Sequence, residues 1–343
     1  MLDYFSKKWL GRCFLAALIS ALPIPARAQQ GVLIIRNVNI VDVVNNRLEP
    51  GRDVVILDKD IANVAAHGHV PAPQDGQFIE GAGKYLMPGL WDFHVHVFTA
   101  PGEEDLALPL YILNGVTGIR DAGGFRSLKD IRAVAVAVER GERMGPRIEL
   151  AGALVDGPPG AWPGQMVARD AGEAKARARE AKAAGWNVIK SYSLLSQAAY
   201  LALAAEAARL AMPLYGHVPE SVTLATGIAA GHRSIEHFGR VTQACSTAEG
   251  AMIATNAQAL GSAEPLPSLM AVMAGHNKTT RESWDAELCS RVARQLAEAD
   301  VAVMPSLMVS DFYLGKDPAP DDPRLLSVPK QVRAQWDQGD WRR

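Results

Sequence analysis

From Leu90 onward the chain repeats one unit, a short apolar run followed by a helical stretch, with most starts 20 to 40 residues apart. The runs fall at Leu90–Val97, Val116–Asp121, Arg147–Ala151, Asn187–Tyr192, Met212–His217, Ser234–Phe238 and Val301–Leu307. Antiparallel neighbours close through a short turn, whereas adjacent parallel strands need a crossover of roughly a dozen residues. The rhythm therefore predicts parallel β/α units, and seven of them predict an α/β fold of the TIM type, a (β/α) barrel incomplete at seven visible strands. Asp170 and Glu173 have the spacing of a capping box on a helix reaching Ala184, with Gly185 as its stop. Further helices are expected over Ser196–Ala211 and Glu282–Ala299. The stretch between Phe238 and Val301 breaks the rhythm; it reads equally as an irregular insertion over the functional face or as an extra helical pair.

Upstream, β runs at Val32–Val44, Asp53–Leu57, Ile61–Ala65 and Phe78–Ile79 alternate with turn residues such as Asn45-Asn46 and Gly81-Ala82-Gly83. They predict a small β-sandwich domain over residues 29–85, with Pro71-Ala72-Pro73 in a loop, ahead of a barrel domain over residues 86–343. Residues 1–28 read as a signal peptide. Lys7, Lys8 and Arg12 precede the apolar stretch from Phe14 to Ile24, and Ala26-Arg27-Ala28 forms the cleavage site. An exported protein, periplasmic or secreted, is expected, with no membrane anchor, because no other run of apolar residues is long enough to span a bilayer. With 48% hydrophobic residues the chain is not globally disordered, and a net charge of −2 leaves no cation excess for a nucleic-acid partner. Cys13 leaves with the signal; Cys245 and Cys289 are either separate thiols or one disulfide. The sequence leaves the oligomeric state open, a homo-oligomer included.

Reactive groups of a barrel enzyme collect at the carboxyl ends of its strands. Five candidates stand there: His94 and His96 on the first run, Lys190 on the fourth, His217 on the fifth and His237 on the sixth. His94 and His96, two apart on a strand, face the same way and can grip one metal ion. His67, His69, His232 and His276 lie in loops or at strand starts and read as structural or solvated. Tyr192, two after Lys190, shares its face and is expected to contact substrate. Asp92 is a candidate to orient a ligand histidine, Arg120-Asp121 a structural pair, and Glu236 is expected to face away from the site and pack outside.

These residues sit in motifs that resemble the amidohydrolase superfamily, in its imidazolonepropionase-like and Xaa-Pro-dipeptidase-like branch. The resemblance runs through Lys84-Tyr85-Leu86-Met87-Pro88-Gly89-Leu90-Trp91-Asp92-Phe93-His94-Val95-His96, Thr117-Gly118-Ile119-Arg120-Asp121-Ala122-Gly123-Gly124, Val188-Ile189-Lys190-Ser191-Tyr192, Tyr215-Gly216-His217-Val218 and Ser234-Ile235-Glu236-His237-Phe238. It implies two divalent metal ions, zinc first among them. His94 and His96 would bind the more buried ion and His217 and His237 the second, with CO2 bound to Lys190 as a bridging carbamate. It also implies hydrolysis of a C–N bond, in an amide or cyclic amide of a small molecule or dipeptide, by a metal-bound hydroxide. The family's proton-shuttling aspartate on an eighth strand has no counterpart after Leu307, where Asp311 is a poor stand-in. On that reading the chain is a C-terminally truncated member, and the rival expectation is a non-catalytic remnant that binds little or no metal.

Overall fold

The computed structural model describes residues 31–71, 76–99, 102–123, 126–162, 164–307 and 323. The leader at residues 1–28 and Asp311 therefore lie outside the described residues. The chain divides into two compact units between Pro88 and Gly89.

The amino-terminal unit is one mixed sheet of five strands: β1 (Val32–Asp42), β2 (Arg47–Leu57), β3 (Asp60–Ala66), β4 (Gln77–Glu80) and β5 (Tyr85–Leu86). The hairpins β1–β2 and β2–β3 are antiparallel; β4 and β5 run parallel to β1. Their turns place Asn46 and Asp58 at φ 49° and 55°, a left-handed conformation these two residue types tolerate best after glycine. Ile34, Val38 and Val54 are buried. Where a two-layer sandwich was expected, the described residues show this one sheet.

The second unit begins with β6 (Leu90–Val95), α1 (Glu103–Leu113), β7 (Val116–Asp121), α2 (Leu128–Glu139) and β8 (Arg147–Leu150), whose strands form a parallel three-stranded sheet. It continues with β9 (Ala153–Asp156), β10 (Met166–Val167), α3 (Ala171–Ala183), β11 (Ile189–Ser191), α4 (Gln197–Arg209), β12 (Leu214–Gly216), α5 (Leu224–Ala229) and β13 (His232–Glu236). The helices α6 (Gly239–Ala244), α7 (Glu249–Leu260), α8 (Pro265–Met273), α9 (His276–Glu282) and α10 (Ala286–Glu298) follow, and then β14 (Ala302–Met304). Strands β9 to β14 make a six-stranded parallel sheet in the order β10-β9-β11-β12-β13-β14. The class of this unit is thus α/β with parallel sheets, and among the described residues the strands do not close into a barrel.

The break between the sheets falls directly after the expected run Arg147–Ala151. Gly152 adopts φ +118°, and a Cβ there would lie 2.6 Å from the Val188 carbonyl oxygen, so only glycine lets the chain turn from β8 into β9. The expected capping box is present in modified form. Asp170 Oδ1 accepts the Glu173 N–H at 2.8 Å, but Glu173 reaches back to the Arg169 N–H at 2.9 Å. Ala174, Ala178 and Ala181 line the buried face of α3, and α4 carries Ala199, Tyr200, Leu203 and Ala207. The stretch between Phe238 and Val301 is helical, as its alanine content favours, and Cys245 and Cys289 are joined by a disulfide. Among the described residues no helix is long and apolar enough to cross a membrane.

Candidate metal centre

The five candidates converge at the carboxyl ends of the strands of both sheets. His94 lies on β6, one residue before its end, and His96 directly follows the strand; Lys190 lies in β11, and His217 and His237 come directly after β12 and β13. The imidazoles form a row: His96 to His94 at 5.2 Å between ring centroids, His94 to His237 at 4.7 Å, His237 to His217 at 5.2 Å. A row rather than a ring explains why, among the described residues, no three His, Cys, Asp or Glu side chains meet closely enough to hold one ion as they stand.

Two special backbone positions create this row. Gly216 at φ +106° would put a Cβ 2.4 Å from the Ser191 carbonyl oxygen and 2.8 Å from Lys190 Cγ, so its missing side chain is the passage through which Lys190 enters. His237 holds φ +65°, a strained conformation for a residue with a Cβ, while its N–H donates to Met304 O at 2.7 Å. That left-handed step breaks the in-out alternation of a strand. Glu236 and His237 are neighbours in sequence, yet both reach the site.

Glu236 consequently corrects its expected place outside the sheet. It is buried, its Oε2 hydrogen-bonds His94 Nδ1, and its Oε1 accepts Arg120 Nη2 at 2.8 Å. Arg120 also donates to Phe93 O and Ser234 Oγ, both at 2.9 Å, so it pairs with Glu236 rather than with Asp121. Asp121 instead accepts the N–H groups of Val97 at 3.0 Å and Gly123 at 3.1 Å. Asp92 accepts the His94 backbone N–H at 3.1 Å and makes no hydrogen bond to a ligand ring. Burial pushes Glu236 up, but the His94 hydrogen bond and the charges of His94, Arg120 and Lys190 outweigh it and hold the carboxyl below its ordinary range.

His96 and His217 are oriented by neutral groups. His96 Nδ1 donates to Gly123 O at 2.7 Å, leaving Nε2 as a bare acceptor. His217 Nδ1 meets Ser193 Oγ at 2.8 Å, and its Nε2 is buried without a hydrogen-bond partner. Burial, then nearby cations, drives His217 well below the ordinary imidazole range, and the same desolvation with His94 beside it lowers His237 to about 4. Lys190 is 1% exposed, donates to Ala122 O, and is lowered by burial to about 8 against the pull of Glu236 and Asp121. Tyr192 stacks on His217 at 4.1 Å, 5.8 Å from Lys190 Nζ, and Trp162 lies edge-on to it at 6.4 Å and beside His96 at 6.1 Å.

The other histidines keep away from the row. His67 bonds the buried Asp53 at 2.8 Å, His69 is exposed, and His276 is buried at the start of α9. His232 is enclosed between Tyr200 Oη at 3.0 Å and the carbonyls of Gly216 and Ser234. Ser193 and Trp162 escape the sequence reading, and Arg120 enters it only as a partner of Asp121, because nothing in spacing alone shows which polar side chain spans from one sheet to the next.

An unpartnered buried Nε2 on His217, the lowered imidazoles of His96, His217 and His237 and an amine of lowered pKa form a donor set that suits a divalent cation. No family model matches the chain. Two curated relatives match short stretches. Adenine deaminase 3 of Rhizobium meliloti (strain 1021) is 34% identical over 65 residues, 19% of this chain and 11% of that protein. The N-acetylglucosamine-6-phosphate deacetylase of Lysinibacillus sphaericus is 39% identical over 64 residues, 19% of this chain and 15% of that protein. The match therefore spans well under two thirds of either relative. Solved structures match far more of the fold. A Bifidobacterium longum protein provisionally described as a prolidase has a TM-score of 0.56 at 19% identity, over 80% of this chain and 72% of that one. A prolidase complexed with N-methylphosphonate-L-proline has a TM-score of 0.52 at 20% identity, over 79% and 77%. A Xaa-Pro dipeptidase with methionine bound in its active site has a TM-score of 0.50 at 15% identity, over 80% and 78%.

Proposed function

We propose that this chain, whose motifs resemble the amidohydrolase superfamily and whose fold is that of these solved structures, is a metal-dependent hydrolase that cleaves a C–N bond in a small amide, cyclic amide or dipeptide. The single observation that carries this reading is the row of four imidazoles beside a buried lysine at the strand ends of both sheets. The two sheets are then arcs of one incomplete (β/α) barrel.

His94 and His96 would hold one divalent ion, zinc by preference for imidazole, and His217 and His237 the other, with Lys190 between them. Ions held there supply Lewis acidity, which makes a water nucleophilic near neutral pH and polarises an amide carbonyl. His94, His96 and His217 have Nδ1 engaged by Glu236, Gly123 O and Ser193 Oγ, so the Nε2 of each remains for ligation. Lys190, lowered to about 8 by burial, keeps a neutral fraction near neutral pH, the form in which its amine could hold CO2 as a carbamate and so offer oxygen ligands to the ions. Tyr192 and Trp162 wall the row with aromatic faces and would contact the substrate. Residues 1–28 would direct export to a periplasmic or secreted location, and the Cys245–Cys289 disulfide supports an oxidising compartment.

Elemental analysis of the purified chain, prepared with zinc and bicarbonate, tests the reading. About two zinc per chain is expected, and Lys190→Ala should remove the bridge and most of the second ion. The rival is a non-catalytic chain that binds little or no metal, and near-zero zinc in a monodisperse sample would establish it.

A further inference from the structure

Glu236 holds a carboxylate that is fully enclosed, which is costly unless each oxygen is engaged. One oxygen accepts Arg120 Nη2 at 2.8 Å; the other meets His94 Nδ1. A carboxylate can only accept, so His94 Nδ1 carries the proton and, in the neutral ring, Nε2 is left as a bare lone pair. Arg120 keeps the carboxylate from rotating. It is itself held by Phe93 O and Ser234 Oγ at 2.9 Å, and its guanidinium lies 5.5 Å and 5.1 Å from the ring centroids of Phe93 and Tyr215.

We propose that Glu236 is a positioning residue: it locks His94 in the Nδ1–H tautomer and aims Nε2 at a metal ion, while Arg120 and Ser234 fix the carboxylate. The inference rests on the metal-centre reading above and adds a role for a residue outside the five candidate ligands. Its three strands give it a second consequence. His94 is on β6, Arg120 on β7 and Glu236 on β13, one residue before His237. The side chain that orients a ligand of the first ion is therefore chained to a ligand of the second, and the spacing of the two half-sites is set through a hydrogen-bonded bridge between the sheets. A plain structural ion pair between Arg120 and Glu236 would need no histidine on the other oxygen.

The tautomer is measured without any metal. In the zinc-free full chain, long-range proton–nitrogen correlations of the His94 ring, assigned by their loss in His94→Asn, should show Nδ1 protonated. Glu236→Gln should give a mixture of tautomers and weaken zinc, in competition with a chelator, by about 10- to 100-fold. Glu236→Asp keeps the carboxylate and should restore part of that loss, and the visible spectrum of the cobalt-loaded chain should shift in the Gln variant more than in the Asp variant. A wild-type His94 protonated on Nε2 overturns the inference, as does a Gln variant whose tautomer is unchanged and whose zinc affinity stays within about twofold of wild type. If the Gln variant does not fold, the wild-type tautomer and the Asp variant still decide. Either failure leaves the metal-centre reading standing so long as the wild type takes up zinc; a wild type that takes up none overturns that reading and this one with it.

Discussion

The three-stranded sheet presents His94 and His96, the six-stranded sheet Lys190, His217 and His237, and the two keep their residues in place by different means. Strands β11, β12 and β13 bury Ile189, Leu214 and Ile235 in a continuous apolar core with Tyr200, Leu203 and Leu296. The core of the smaller sheet is a short cluster around Val95, Phe98, Leu108, Ile119 and Ile131, while Leu90, Trp91 and Phe93 on β6 remain exposed. Dispersion and hydrophobic burial are non-directional, so a large core can hold Lys190 and His217 with few polar bonds of their own. Where apolar burial is thin, directional bonds must supply the register, and Arg120 and Glu236 supply it for His94. One half of the candidate site is thus held by packing and the other by a buried polar latch.

Arg120→Ala attacks the latch directly and should have the largest effect. It leaves Glu236 as an enclosed carboxylate without its guanidinium, and removing one member of a buried pair costs about 3–5 kcal/mol. Urea unfolding followed by circular dichroism reads that loss. A change within about 0.5 kcal/mol, the range of an ordinary surface substitution, would mean that the smaller sheet does not depend on the latch.

Most of this arrangement was legible from the residues. Period and spacing locate the strands bearing all five candidates, and His67, His69, His232 and His276, which read as structural or solvated, stay out of the row. Two local backbone events escaped. The expected run Arg147–Ala151 stops at Gly152, whose left-handed turn starts a second short strand, β9, in the other sheet, and β9 and the two-residue β10 beyond it escape the pattern. Glu236 was assigned to the wrong face because alternation assumes a regular strand, and the left-handed step at His237 ends it one residue early. Both failures are φ angles above zero, one at a glycine and one at a histidine, and the histidine carries no compositional warning.

Asp156 sharpens the comparison from the packed side. It is fully buried at the end of β9, and its carboxylate accepts the N–H groups of Leu194 at 2.7 Å, Gly157 at 2.9 Å and Ala161 at 3.3 Å. Burial outweighs those donors and raises its pKa from 3.8 to about 6. The folded state therefore holds the proton more tightly than the unfolded chain. The resulting contribution is fully present below about 3.8 and is lost as pH rises through about 6, on the order of 3 kcal/mol. In Asp156→Asn this part of the pH dependence should vanish. Unfolding free energies at pH 4 and pH 7 should differ less in the variant than in wild type, and equal slopes would contradict the burial argument.

Tyr200→Phe should have the smallest effect, and it separates packing from polar bonding within one residue. The ring is fully buried in the large core, and its hydroxyl meets His232 Nδ1 at 3.0 Å. His232 Nε2 lies 3.1 Å from Gly216 O and 3.0 Å from Ser234 O, acceptors only, so Nε2 carries the proton and Nδ1 must receive one from tyrosine. Phenylalanine keeps the ring and its contacts but strands that buried nitrogen, at about 1–2 kcal/mol. Thermal or urea unfolding should register this loss while zinc content is unchanged, because His232 lies behind the row rather than in it. A larger loss, or one accompanied by released zinc, would show that the packed half also depends on polar bonds for its register, and the contrast between the two sheets would then be one of degree.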